Sequence, residues 1–240
     1  MRQLAIVLAA LAVPASLLAQ SNTALTPGPS TPTASGLKPS QLALVLGGAL
    51  IFSGIIDDAV QEDFQEWRNP LTNGMARVGN TFGAGKYVYP ALVASWVAGT
   101  AFGSEGLRRA SGHALVAATT AGVAVTALKW AFGRQRPSSG FDSDHFDAFE
   151  IKDSSFPSGH TAVAFSLASS LSRDIKGHWD DVAFYGAASL TGLARMNDNK
   201  HWLSDVVAGA TLGIFAGKWA TRGNSRVSAS PGGLSFTYHF

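Results

Sequence analysis

Six apolar stretches, at about residues 41–56, 87–103, 112–132, 160–172, 181–194 and 203–220, dominate the chain and set what it can become. They are Ala/Gly-rich, only 14% of residues are charged and Gly numbers 26, so they read as helices that pack closely or border a membrane. The expectation is an all-α fold, a six-helix bundle, with residues 57–68 extending the first helix as an amphipathic segment. A membrane span needs ~20 apolar residues, and runs of about 10 to 14 more often mark core helices. The stretches at 160–172 and 181–194 are that short. The others are long enough to cross, and Trp96, Trp130, Trp202 and Trp219 lie near apolar ends, as residues at a membrane interface do. A membrane-embedded bundle is therefore expected.

Three short basic and His-bearing stretches, at 129–137, 157–160 and 195–205, fall near the ends of these helices. Lys129, Arg136 and Arg195 bring fixed positive charge, which phosphoryl transfer needs to neutralise the equatorial oxygens. Lys129 and Arg136 are seven apart, on one side of a helix if it continued, but Pro137 argues that it stops. Pro157-Ser158-Gly159-His160 precedes an Ala-rich run and reads as a helix start, whose free N–H groups and dipole attract anions. Gly159 is read as clearing space for a close backbone approach. His201 and Asp205 are four apart, on one face of a helix that continues to Trp219. The carboxylate there can hold one imidazole nitrogen as N–H, leaving the other lone pair free to attack phosphorus.

In this order and spacing the three stretches resemble the signature of the type 2 phosphatidic acid phosphatase and vanadium haloperoxidase superfamily. Lys129, Arg136 and Pro137 meet its first motif, residues 157–160 its second, and Arg195, His201 and Asp205 its third, with Ala194 where the family usually has Ser. The likeness covers roughly residues 40–220. It implies that His201 is the nucleophile that forms a phosphohistidine, that Asp205 orients it, and that His160 protonates the leaving oxygen and later activates water. It further implies that Lys129, Arg136, Ser158, Gly159 and Arg195 bind the phosphoryl oxygens, with no metal and no cofactor.

Each element has a plainer reading when taken alone. His201 and Asp205 alone would be an ordinary helical pair on a solvated face. Arg136-Pro137 would be a loop boundary, and Ser158-Gly159 a simple cap. His113 reads as a packed or capping residue, and His178 and His239 as surface residues. His145 lies in the polar loop 141–147, which is placed to select substrate. Asp142, Asp144, His145 and Asp147 do not follow the ligand order of a calcium loop.

Residues 1–20 read as a cleavable secretory signal and 21–40, rich in Ser, Thr, Pro and Gly, as a flexible linker. Residues 41–220 are expected to form the phosphatase domain and 221–240 a loose or edge-packed tail, whose one alternating stretch cannot close a barrel. A net charge of +2 without a basic cluster argues against nucleic acid. If all of the first three helices crossed, Lys129 would fall inside. Arg108, Arg109, Arg173, Lys176, Lys218, Arg222 and Arg226 would instead hold their own loops inside and the site outside. The reading is an exported enzyme at the periplasmic face of the cell membrane that hydrolyses a phosphomonoester or pyrophosphate of a lipid, such as phosphatidate, phosphatidylglycerol phosphate or a polyprenyl diphosphate. The alternatives are a soluble periplasmic acid phosphatase, a vanadate-dependent haloperoxidase and an inactive scaffold. The oligomeric state is not readable.

Overall fold

A computed structural model describes residues 39–177, 179–222, 226–230 and 233–237. The expected signal at 1–20, nearly all of the linker at 21–40, His178 and His239 lie outside the described residues. The first helix, α1 (Pro39–Glu66), is one unbroken element that includes the amphipathic extension. It is followed by α2 (Pro70–Gly83), α3 (Gly85–Ala101), α4 (Glu105–Phe132), α5 (Gly159–Asp174), α6 (Asp180–Asn197) and α7 (Leu203–Ala220). The all-α class is as read, but the expected count of six is corrected to seven among the described residues, because α2 was missed. The tail is also more regular than expected. In it β1 (Arg226–Ser230) and β2 (Gly233–Thr237) form an antiparallel hairpin, with Arg226 opposite Thr237.

Helix α2 forms despite Gly74 and Gly79 because its start is strongly fixed. The Asn69 side chain accepts from the Leu71 and Thr72 N–H groups at 2.9 and 3.1 Å, and Thr72 Oγ1 accepts from the Asn69 N–H at 3.0 Å. That is a reciprocal capping box, with Pro70 in the first turn, where no intrahelical N–H is lost. The glycines then let α2 lie against α6 and the start of α5. A Cβ at Gly79 would stand 2.6 Å from the Leu190 carbonyl oxygen, and one at Gly83 would stand 2.3 Å from that of His160.

Helix α5 is the central element, packed by α4, α6 and α7. Residues 161–166 and 168–170 are buried. Its partner α7 carries Gly209, Gly213 and Gly217 at intervals of four, one stripe along one face. Cβ atoms there would come within 2.5 Å of Ser158 O, 2.3 Å of Ala162 O and 2.7 Å of Ser166 O, so the two backbones touch. Around this seam Ala164, Phe165, Ala168, Ala188, Ala210 and Ile214 form one apolar cluster, and Val60, Met196, Leu203 and Val206 a second. Among the described residues one helix, α4, is long and apolar enough to cross a membrane.

At its C-terminus α4 stops at Gly133, in the left-handed region at φ +57, where a Cβ would collide with the Asp147 carbonyl. The chain then leaves in an extended strand that pairs back on the following loop. Gln135 N–H donates to His145 O at 3.0 Å and Asp147 N–H to Gly133 O at 3.1 Å. The C-termini of α4 and α6 and the N-termini of α5 and α7 thereby meet at one end of the molecule.

Replacing Gly213 with Ala should lower stability by about 1–3 kcal/mol through overpacking. Replacing Gly186, where a Cβ meets nothing within 4 Å, should leave stability unchanged or raise it by up to ~1 kcal/mol. Denaturant melts in detergent read both.

Candidate active site

Lys129 sits in the last turn of α4, and its ammonium donates to the Ser154 carbonyl while Ser154 Oγ donates to the Lys129 carbonyl at 3.2 Å. Arg136 is seven residues on but not on the helix. It lies in extended backbone before the short 3-10 turn Pro137–Ser139, so a loop and not a helical face brings the two cations together. Arg195 projects from the last turn of α6. Its Nη1 donates to Asn80 Oδ1 of α2 at 2.8 Å, Asn80 donates to Asp198 at 2.7 Å, and Asp198 lies 3.6 Å from Arg195.

Ser158 is the N-cap of α5, with Gly159 and His160 in the first turn. Its hydroxyl pairs with Thr161 Oγ1 at 2.8 Å, and its N–H donates to the Asp205 carbonyl at 3.0 Å. That N–H is spent on joining α5 to α7. At Gly159 the space is open on the protein side. A Cβ there would make only an ordinary 3.5 Å contact with Val125, so protein packing does not require the glycine.

His201 and Asp205 are together, but not as two residues of one helix face. His201 precedes α7, whose N-cap is Trp202, and Asp205 is the third residue of the helix. The Asp205 Oδ2 accepts the Trp202 N–H at 2.9 Å, as an acidic residue in a first turn does, and lies 3.4 Å from His201 Nδ1. That separation is longer than a good hydrogen bond. Nδ1 is buried with no bonded partner among the described residues, as are Arg136 Nε and Arg195 Nε.

Charge ties the set together. Burial above all, then the charges of Arg195, Arg136 and Lys129, push His160 down to about 4. Burial likewise pushes His201 down to about 3, with Lys129 and Arg195 adding to the effect and Asp205 opposing it. Both imidazoles are neutral near pH 7. The pocket is thus a cationic wall around two neutral rings, able to bind an oxyanion and move its proton.

Two residues were missed. Arg134, inside the first motif stretch, is completely buried. It donates from Nη1 to Asp205 Oδ1 at 2.9 Å and from Nη2 to Asp57 Oδ2 of α1 at 2.8 Å. In the sequence Arg134 reads as one more basic residue beside Arg136, and Asp57 as the polar start of an amphipathic extension. Their only signal is charge at the edge of an apolar run. Of the other histidines, His113 is buried as expected, with Nδ1 2.7 Å from Asp174. His145 stacks on Phe141 at 4.2 Å between centroids and lies 3.5 Å from Asp147.

Both site histidines have lower proton affinity folded than unfolded, so the unfolded chain binds more protons below its ordinary value of 6.5. Stability should be full above that value and should fall as pH drops toward 4 and then 3. The His201→Gln protein should show a shallower loss in melting temperature over this range.

Residues 110–228 match the family model described as the PAP2 superfamily. A lipid A 1-phosphatase of Porphyromonas gingivalis is 37% identical over 123 residues, which is 49% of this chain and 25% of that protein. The chain thus spans a quarter of the length of that curated relative. The crystal structure of Aquifex aeolicus LpxE aligns with a TM-score of 0.55 at 24% identity, over 69% of this chain and 94% of that one. That of a transmembrane PAP2-type phosphatidylglycerolphosphate phosphatase from Bacillus subtilis aligns with a TM-score of 0.62 at 22% identity, over 76% and 94%. At these identities the two structures speak for the fold. With the fold, the three motifs and the match over its C-terminal half in agreement, the chain belongs to the PAP2 superfamily.

Proposed function

We propose that this protein is a metal-independent phosphatase that hydrolyses a phosphomonoester or pyrophosphate of a lipid through a phosphohistidine. The observation that carries the reading is the single field shared by Lys129, Arg136, Arg195, His160 and His201, with two buried guanidinium Nε–H groups lacking a protein partner among the described residues. Three fixed cations supply the neutralisation of phosphoryl oxygens that the chemistry requires. Asp205 favours the tautomer with hydrogen on Nδ1, so His201 presents the Nε2 lone pair to phosphorus. As the P–O bond breaks, His160 gives its proton to the leaving oxygen. His160 then takes a proton from water as that water attacks the phosphohistidine, which frees phosphate and restores His201. His160 is neutral among protein charges alone. A phosphate dianion cancels part of the field of Arg195, Arg136 and Lys129 and so raises its proton affinity for the first step.

A lipid is favoured by an apolar groove of about 180 Å³ whose wall includes Ala194, the chain neighbour of Arg195. Phe64 and Trp67 at the end of α1, Met75 and Ala76 of α2, and Leu190, Leu193 and Ala194 of α6 line it. Ala194, where the family usually has Ser, is adjacent to Arg195 in the chain and adds a methyl to the apolar wall. The exposed Met75, at 50%, links this groove to an apolar stripe on α2 made with Leu71, Val78 and Phe82.

A membrane setting is supported by α4, of whose most apolar window only 22% is buried within the protein. Trp130, Phe149 and Ile151 are exposed where α4 ends and the site begins. Arg108, Arg109, Arg173, Lys218 and Arg222 lie toward the opposite end of the helices, which by the positive-inside rule supports an outward-facing site.

Replacing His201 with Ala should lower kcat for a lipid phosphate by about 10⁴-fold or more, read as phosphate release in detergent micelles. Turnover near wild type would remove the nucleophile assignment. Rapid alkaline quench of the wild type turning over a substrate with a good leaving group should trap a phosphoenzyme that is stable in alkali, lost in acid and absent from the variant. Filling the groove with Met75→Trp should raise KM for a long-chain lipid phosphate by about tenfold, the effect of losing roughly 1.4 kcal/mol of apolar contact. A short soluble phosphomonoester should be unaffected. Equal effects on both would count against the groove as an acyl site.

A further inference from the structure

We propose that Arg134 is a positioning residue for the phosphatase chemistry, fixing the orientation and the charge of the carboxylate that faces His201, with Asp57 of α1 as its anchor. This rests on the assignment of His201 and Asp205 above. Arg134 is 0% exposed, and its guanidinium is held on every side. Nε donates to Ser143 O at 2.7 Å, Nη1 to Asp205 Oδ1 at 2.9 Å and to Ser204 Oγ at 2.6 Å, and Nη2 to Asp57 Oδ2 at 2.8 Å. The rings of Phe146 and Trp202 each stand with centroids 5.5 Å from its central carbon. Asp57 is fixed in turn by the Ser204 N–H at 3.0 Å and by the Ser204 hydroxyl.

Asp205 is thereby constrained at both oxygens. Oδ1 is taken by Arg134, and Oδ2 is taken by the Trp202 N–H and aimed at His201 Nδ1. A planar fork can span two carboxylates in this way, and an ammonium cannot. The groups that face Asp205 are Arg134 from the loop after α4, Asp57 from α1, Lys129 from α4 and His201 from the segment before α7. From α5 the contact is the Ser158 N–H on the Asp205 carbonyl.

The charge balance gives the arrangement its consequence. Two buried carboxylates share one guanidinium, so Asp205 stays anionic but is not fully neutralised. It keeps enough negative charge to hold a proton on Nδ1. Without the guanidinium charge, two neighbouring buried carboxylates would compete for a proton, and a protonated Asp205 no longer selects the tautomer. Without Asp57 the whole cation falls on Asp205 and weakens its pull on His201.

The test compares Arg134→Gln, Arg134→Lys and Asp57→Asn with wild type and His201→Ala, all as full chains in detergent with a lipid phosphate. Folding is checked by helical circular dichroism and melting. Arg134→Gln should lower kcat about 10- to 100-fold, as loss of an outer partner of a functional histidine does, with KM little changed. The acid limb of its pH–rate profile should move to higher pH. Arg134→Lys should recover part of kcat and return the limb toward wild type. Asp57→Asn should lower kcat by about tenfold with KM unchanged. Folded variants with wild-type kcat and pH profile, beside a dead His201→Ala, overturn the proposal. An active His201→Ala overturns the phosphatase assignment instead. If Arg134→Gln does not fold, Arg134→Lys and Asp57→Asn decide on the same readouts, and wild-type profiles in both overturn it.

Discussion

The contact on which the rest of this molecule depends is the seam between α5 and α7. Gly209, Gly213 and Gly217 let the α7 backbone rest directly on the carbonyls of Ser158, Ala162 and Ser166. No side chain intervenes, so the relative height of the two helices is fixed by backbone sterics and not by adjustable rotamers. At the top of the seam the Ser158 N–H closes on the Asp205 carbonyl. The first turns of two helices, one bearing His160 and the other Asp205, are thus registered against each other by packing well below them.

That registration lets a largely apolar body tolerate much charge at one end. Arg134 lies between Asp57 and Asp205, Arg195 lies against Asn80 and Asp198, and Lys129 is capped by a carbonyl. Four cations there, Lys129, Arg134, Arg136 and Arg195, face three carboxylates, Asp57, Asp198 and Asp205. The surplus stays positive and bears on the two imidazoles, both of which it disfavours as cations. A pocket of this kind is selective for an anion because its own protonation already works against further positive charge.

The order of these features was partly legible in the residues. The apolar runs located six of the seven helices among the described residues, and α7 begins and ends where its run does. Helix α2 was overlooked because Gly74, Gly79 and Gly83 and many polar residues dilute it, although Leu71, Met75, Val78 and Phe82 recur at helical spacing and Asn69-Pro70 with Thr72 is a start signal that can be read. His201 and Asp205 were paired from helical spacing, yet they meet because an extended residue precedes a helix whose third position folds back. Arg134 and Asp57 were not legible. Their meaning lies in a contact between residues 77 positions apart, and each sits beside a neighbour with a simpler explanation. Gly209, Gly213 and Gly217, where α7 has no room for a side chain, are spaced by four inside a run that reads as merely apolar.

Asp57 and Asn80, which hold Arg134 and Arg195, both come from helices that precede the segment 110–228 shared with the superfamily. The portion delimited by likeness therefore ends at residues whose counter-charges and hydrogen-bond partners are supplied from elsewhere in the chain. A chimaera that grafts that portion behind a foreign segment would carry two guanidinium groups each missing one partner, Arg134 without Asp57 and Arg195 without Asn80. The boundary of the recognisable motif region is thus narrower than the boundary of the electrically complete unit.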